Sequence, residues 1–446
     1  MAEGSLRRGV EFIYNQLFRE VSIFPLVTLR VAFGLLLTFG ALRFWLYGWI
    51  DELYVKPAFH FHYFGLDMPE LSEAAVYVVF MLFTLFSVLF TLGWFYRIVA
   101  TLLFVVFTFI ELMEVATYLN HYYFVSITLF FFIFVPAGRV VSIDSLLNRE
   151  QRHALVPAWM VYIFLFQLSI VYFYAGIAKI HSDWLLEALP LKLWLPARAD
   201  LPFIGPALEW PITAYVFSWF GCLYDLLIPF VLLNKRTRAV GYIAVVVFHV
   251  LTRILFPIGI FPWVMIAMTL VFFPADFHER IWKRFSMVST SKSTTISRPQ
   301  RLITIAGLTL FFSAQLLLPW RFLLQSEKLF WDELGYRFSW RVMLMEKTGS
   351  IEFRIVTADG RMMIVDPDLE LNTLQLKQMA TQPDLILQYA HHIGQRESAK
   401  HGQVQVFADS YVNLNGRGSR PFIDPTVDLM RVTDCGDRLT WVLPYE

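Results

Sequence analysis

VYFYAGIAKIHSDW, residues 171–184, is an apolar, aromatic run that passes through Gly176, reaches Lys179 and turns polar at His181, Ser182 and Asp183 before Trp184. The run reads as the end of a membrane helix, and a lysine at that level has two readings. It can snorkel, with its stem in lipid and its ammonium at the headgroups. Alternatively it faces an enclosure made by neighbouring helices, where desolvation penalises an ammonium and the neutral amine serves as a general base.

Working outward, apolar stretches recur near residues 26–48, 74–93, 98–118, 121–137, 157–178, 212–233, 239–256, 259–274 and 302–320. Each reaches or approaches the roughly 20 residues that a bilayer core requires. The fourth and eighth are short. Of the 446 residues, 57% are hydrophobic and 17% aromatic, more apolar than soluble domains. The fold class that follows is a polytopic α-helical membrane bundle of about eight or nine spans, then a small α+β soluble domain. Residues 1–25 read as a short amphipathic lead-in, and the basic N-terminus runs straight into the first span without a cleavable signal.

Lysine and arginine sort the loops. With the N-terminus inside, Arg7, Arg8, Arg19, Arg97, Arg139, Arg149, Arg152, Lys235, Arg236, Arg238 and the basic run from Arg280 to Arg301 lie inside; Lys56, Lys179, Lys192, Arg198 and Arg253 lie outside. That asymmetry is the positive-inside pattern. Nine crossings then put the C-terminus outside. The same topology gathers Asn120, His121, Lys179, His249, Arg253 and the loop around His60 and His62 toward the outer ends of the helices. Ionisable groups at membrane depth face interior cavities, so a pocket opening outward is expected.

The domains expected are 1–324, the membrane and catalytic part, and 325–446, an extracytoplasmic α+β part on the substrate side. In the latter, residues 351–356 and 362–365 read as strands around an Asp359-Gly360 turn. Residues 371–396 read as a helix broken at Pro383, and 404–414 and 427–432 as further strands. Residues 286–298 read as an inner linker. Cys222 and Cys435 form neither a disulfide framework nor a metal site, and a net charge of +1 supplies no field for nucleic acid.

No phosphate-cradling glycine loop, His-Glu-x-x-His pattern or nucleophile elbow is present. The catalytic inventory is Lys179 as base, with Asn120, His121 and His249 as candidates to bond a quinone oxygen or a developing oxyanion. The structural alternative for the histidines is interhelical hydrogen bonding. Tyr122, Tyr123 and Trp184 read as interfacial belt residues, and Asp144 and Arg253 as structural.

At these residues the chain resembles the vitamin K-dependent gamma-glutamyl carboxylase family, over nearly its whole length. The pieces that carry the resemblance are Leu119-Asn-His-Tyr-Tyr123, residues 172–184, Phe248-His249, Phe256-Pro-Ile-Gly-Ile-Phe261 and Val264-Met265. Further on they are Leu318-Pro319, Gly335-Tyr336, Ser339-Trp340, Asp359-Gly-Arg361, Gln388-Tyr-Ala390 and Phe422-Ile-Asp-Pro425. The resemblance implies a coupled reaction. Reduced vitamin K, as phylloquinol or menaquinol, is deprotonated and reacts with O2 to give a strong base and finally the epoxide. That base takes a gamma-proton from a glutamate side chain, which then adds CO2. Lys179 matches the family's base, Asn120 and His121 its quinone-site polar pair, and Tyr336, Trp340 and Lys347 fall in its substrate-side segment. No metal is implied.

The sequence also departs from the family pattern. Arg321 stands where animal members carry a histidine, the basic segment after Ser339-Trp340 matches only through Lys347, and the chain ends at Glu446 where the animal enzymes continue. The expected partners are a glutamate-containing peptide or protein and the bilayer; the sequence specifies no oligomeric state. The expected location is a bacterial plasma membrane with the C-terminal domain outside, the alternative being an endoplasmic reticulum membrane with that domain lumenal. Two further functions stand beside carboxylation: an epoxidase whose carboxylation is lost or altered, and a non-catalytic quinone- or lipid-binding membrane protein. A transporter has no support from repeat symmetry or from a charged path through the spans.

Overall fold

The computed structural model describes residues 11–445 apart from 64, 67, 149–153, 286–296, 326–327 and 434–438. Arg7, Arg8, Arg149, Arg152, Cys435 and most of the expected inner linker lie outside the described residues.

The membrane part is built from α1 (Phe24–Leu46), α2 (Glu73–Leu92), α3 (Tyr96–Met113), α4 (Asn120–Phe134), α5 (Trp159–Ile177), α6 (Pro211–Leu233), α7 (Arg238–Leu255), α8 (Phe261–Thr269), α9 (Ala275–Trp282) and α10 (Arg298–Leu317). Among the described residues seven helices are long and apolar enough to cross a membrane, or eight if the bent pair of α8 and α9 is one span. The other two expected spans are modified. At about 1.5 Å per residue, the 15 residues of α4 reach only about 22 Å, less than the roughly 30 Å of bilayer hydrocarbon. The eighth span turns by 111° after Phe272. Phe273 there is extended, with ψ of 151°, because Pro274 disfavours a helical residue before it and has no N–H of its own.

The helix ends sort into two faces. On one, β1 (Glu20–Ser22) and β2 (Leu155–Pro157) pair antiparallel and tie together the starts of α1 and α5. Asp144 accepts the backbone N–H groups of Phe95 and Tyr96, both at 2.8 Å, and so caps α3 on that face. The α9 residues His278 and Trp282 reach Thr28 near the start of α1. Asn120 at the start of α4 and Lys179 just past α5 lie at the opposite face, where the C-terminal part docks. The backbone of His62 exchanges two hydrogen bonds of 2.9 Å with the amide of Gln388. Glu114 accepts from Phe61 and Gln375.

The C-terminal part holds a four-stranded antiparallel sheet of β3 (Lys347–Thr357), β4 (Met362–Val365), β5 (Val404–Leu414) and β6 (Ser419–Pro421), ordered β4-β3-β5-β6. Alternate β5 residues, among them Val404, Val406, Ala408 and Val412, face inward. They share a core with Leu385, Tyr389 and Ile393 of the second of two helices, α11 (Thr373–Met379) and α12 (Pro383–His401). The break at Pro383 falls as the sequence predicts. Residues 427–432, expected as a strand, instead form a helical turn at Leu429–Arg431. The reason is Asp428, whose carboxylate accepts from both Met430 N and Val406 N at 3.1 Å and curls the chain. The fourth strand is β6, three residues ending in Pro421.

Candidate functional site

The site begins with the closeness of α5 and α6. A Cβ on Gly176 would lie 2.8 Å from the Leu226 backbone nitrogen, so only glycine lets the two backbones come together here. That contact sets Asp225 against Lys179. The Lys179 Nζ lies 2.7 Å from Asp225 Oδ2 and 3.1 Å from the Ala175 carbonyl. Both side chains are under a tenth exposed. The ammonium also sits 5.4 Å from the Trp184 ring. That ring is fixed through its Nε1, which donates to the Ser218 carbonyl at 2.8 Å.

Lys179 and Asp225 open onto a cavity of about 120 Å³. Its walls come from α5 (Tyr172, Ala175), α6 (Phe217, Gly221), α7 (Phe248, His249, Thr252) and α8 (Phe261, Met265), with Trp194 and the segment Val342–Met343 closing it from the C-terminal side. His249 Nε2 is 3.1 Å from the Tyr172 hydroxyl, while its Nδ1 is buried with no partner among the described residues. A buried polar atom without a partner is costly; this one is covered by its neighbours and does not border the cavity.

Asn120 and His121 are placed differently. Asn120 opens α4, and its amide is engaged twice: Nδ2 donates to the Arg341 carbonyl, and Oδ1 accepts from the Tyr118 hydroxyl at 3.0 Å. It therefore ties α4 to the segment that carries Val342 and Met343. His121 does not line the Lys179 cavity. Its ring packs 5.4 Å from Phe261, and Phe261 in turn lies 5.8 Å from His249, so Phe261 stands between the two histidines.

The turn after Lys179 is held from the sheet. Arg417, at the β5–β6 hairpin, binds both Asp183 oxygens at 2.8 and 2.9 Å. Asn415 Nδ2 donates to Asp183 at 2.8 Å, and Asn415 Oδ1 accepts from Glu346 N at 2.9 Å. Glu346 accepts from Trp194 Nε1 at 2.6 Å, which brings the circuit back to the cavity wall. Burial pushes the Asp183 carboxyl up, but the hydrogen bonds from Arg417 and Asn415 outweigh it and hold the group below its ordinary value.

Residues 18–277 match the family model of the HTTM domain, and residues 300–446 match the vitamin K-dependent gamma-carboxylase lumenal domain. The chain belongs to the vitamin K-dependent gamma-carboxylase family. No solved structure matches it. The HTTM match spans every helix that lines the Lys179 cavity, and the carboxylase lumenal-domain match spans Val342 and Met343.

Three residues of the carboxylase lumenal-domain region were expected on the substrate side. Tyr336 is a packing residue in this structure, its ring 6.4 Å from Phe330; burial pushes its phenol up. Trp340 is 1% exposed and stacks on Tyr123 at 4.9 Å. Lys347 donates to the carbonyls of Trp331 and Thr381, both at 2.6 Å, and to Glu333 Oε1 at 3.0 Å. Its three N–H groups are thus engaged. Burial lowers its amine, and Glu333 opposes that shift. The structure brings Lys179 and His249 into one cavity; it leaves Asn120, His121, Tyr336, Trp340 and Lys347 outside the cavity wall.

Sequence reasoning missed Asp225. It supplied Lys179 with an apolar enclosure and no counter-charge, whereas the structure pairs it with a carboxylate. The signal was present: a lone acid in the middle of an apolar span marks a functional interior.

Proposed function

We propose that this carboxylase-family chain couples vitamin K hydroquinone epoxidation by O2 to carboxylation of glutamate side chains with CO2, with the Lys179 cavity as the quinol site. The observation that carries the reading is the Lys179–Asp225 pair at 2.7 Å, facing an apolar cavity that His249 also lines. The quinol supplies, through its own oxygen chemistry, the strong base that the glutamate step requires.

The chain's residues account for the rest. Lys179 Nζ takes a proton from a hydroxyl placed beside it. Asp225, bonded to the same nitrogen, accepts a proton from Nζ as Nζ takes one from the hydroxyl, so the pair, an ammonium and a carboxylate at the start, gains one proton as the hydroxyl loses one. A turn of the His249 ring, which lines the cavity, brings its Nδ1 to a ring oxygen and fixes the orientation of that oxygen. Trp194, Phe217, Phe248 and Phe261 exclude water. The substrate peptide comes from the side of Val342 and Met343, which the positive-inside pattern sets outside a bacterial plasma membrane, or in the lumen of an endoplasmic reticulum.

A second reading, an epoxidase whose carboxylation is lost or altered, draws on Lys347. Its ammonium is saturated by two carbonyls and Glu333, so it offers no free donor to a substrate carboxylate. The test is one assay on the full chain in nanodiscs with reduced vitamin K, O2, labelled bicarbonate and a glutamate-rich peptide. Epoxide and peptide-bound label together, both lost in Lys179→Ala, support carboxylation. Epoxide alone with every peptide tried selects the epoxidase. Quinol binding without either product overturns both and leaves a binding protein.

A further inference from the structure

A second cavity, of about 300 Å³, lies apart from Lys179 between α3, α4, α10 and the segment around Phe338. It contains Glu111, an acid near the end of α3 that has no ion pair or hydrogen bond among the described residues. An ionisable residue at this depth without a protein partner calls for one from elsewhere. Tyr63, Tyr118, Tyr123 and Phe338 line the same cavity, and an aromatic wall in a cavity that also holds a carboxylate is the chemistry that selects an organic ammonium.

An opposite charge stands by the same wall. The Arg321 guanidinium lies 5.9 Å over the ring of Phe338, a lining residue, and is not itself among the residues that line the cavity. One of its N–H groups donates to the Arg337 carbonyl, but it forms no ion pair among the described residues. Phe104, Phe130 and Phe311 line the cavity from the three helices and offer apolar surface for a tail. A ligand that satisfies all three features has an ammonium, an anion and an apolar tail. We infer that this cavity is a binding site for a zwitterionic phospholipid with a primary ammonium, a phosphatidylethanolamine, with the ammonium on Glu111 and the phosphate on Arg321. A primary ammonium fits better than a quaternary one because a carboxylate bonds through N–H donors. The site is independent of the reading of Lys179.

The test is native mass spectrometry of the full chain released from nanodiscs of equal phosphatidylethanolamine and phosphatidylglycerol. The wild type is expected to retain ethanolamine lipid over glycerol lipid. E111Q is expected to lower that ratio on the order of tenfold, as the loss of one charge-assisted contact would. R321Q is expected to lower retention of both lipids, since both carry the phosphate. Ser126→Leu fills the cavity wall and leaves both charges in place, so it serves if E111Q does not fold. Loss of bound ethanolamine lipid in S126L supports the site. Equal retention of the two lipids by the wild type, an unchanged ratio in folded E111Q, or undiminished retention in S126L overturns it.

Discussion

Lys179 in the helical bundle and Lys347 at the start of β3 are both buried, and each is paired with a carboxylate, yet their surroundings differ. Lys347 gives its three N–H groups to two carbonyls and Glu333 and lines neither cavity. Lys179 bonds one carbonyl and Asp225 and borders open volume. A saturated lysine fastens two pieces of chain together. An unsaturated one beside a cavity has capacity left for a ligand. Burial and pairing alone therefore do not separate a candidate catalytic amine from a structural one; the unused donor position and the adjoining space make Lys179 the candidate.

The largest effect expected is at Lys179. Lys179→Ala should cut epoxide formation by about 10³-fold, within the range of a lost general base, measured per folded molecule by quinol turnover. Asp225→Asn should come next, at about 10²-fold in the same assay. Because it leaves a buried ammonium without its counter-ion, it should also lower stability by about 3 kcal/mol. Turnover equal to wild type in folded Asp225→Asn would show that the pair is as structural as Lys347–Glu333.

Lys347→Met sharpens the contrast from the other side. It strands Glu333 in a buried setting and should cost about 3–4 kcal/mol in thermal or denaturant unfolding. If it instead left stability intact and selectively abolished peptide carboxylation, the two lysines would be alike in role. Gly176→Ala should cost about 1–3 kcal/mol by overpacking and should also slow quinol turnover, because it forces α6 and Asp225 away from Lys179.

The smallest effect on turnover is expected at the hairpin clamp. Asp183→Asn should cost about 2 kcal/mol, the scale of a charged hydrogen bond. The folded-state carboxyl of Asp183 is held below its ordinary value, so its contribution is fully present above the unfolded value of about 3.9 and is lost as pH falls through the lower folded value. Acid unfolding of wild type and Asp183→Asn, compared across pH 5 to 2, should therefore converge at the acid end.

Much of this was legible because hydrophobic run length and strand alternation are local properties. The spans, the Asp359-Gly360 hairpin and the break at Pro383 follow from them. Lys179 was legible as a charge out of place. Asp225 carried the same signal, but its partner is 46 positions away in the chain, and that proximity depends on Gly176 meeting Leu226. Asn120 and His121 look like a polar pair in sequence. As the first two residues of α4 they diverge, one to the Arg341 carbonyl and the other behind Phe261. The strand expected at 427–432 failed because a single carboxylate, Asp428, offered the backbone a turn in place of a ladder.

Asn415 sits with a φ of 53°, a conformation asparagine tolerates better than most residues. From there its one side chain reaches both Asp183, on the turn that carries Trp184, and the Glu346 backbone, whose carboxylate grips Trp194. Two tryptophans of the cavity wall are thus linked through one residue at the tip of a hairpin in another part of the molecule. The chamber around Lys179 therefore has part of its frame in the C-terminal sheet, and its shape is a property of both parts of the molecule.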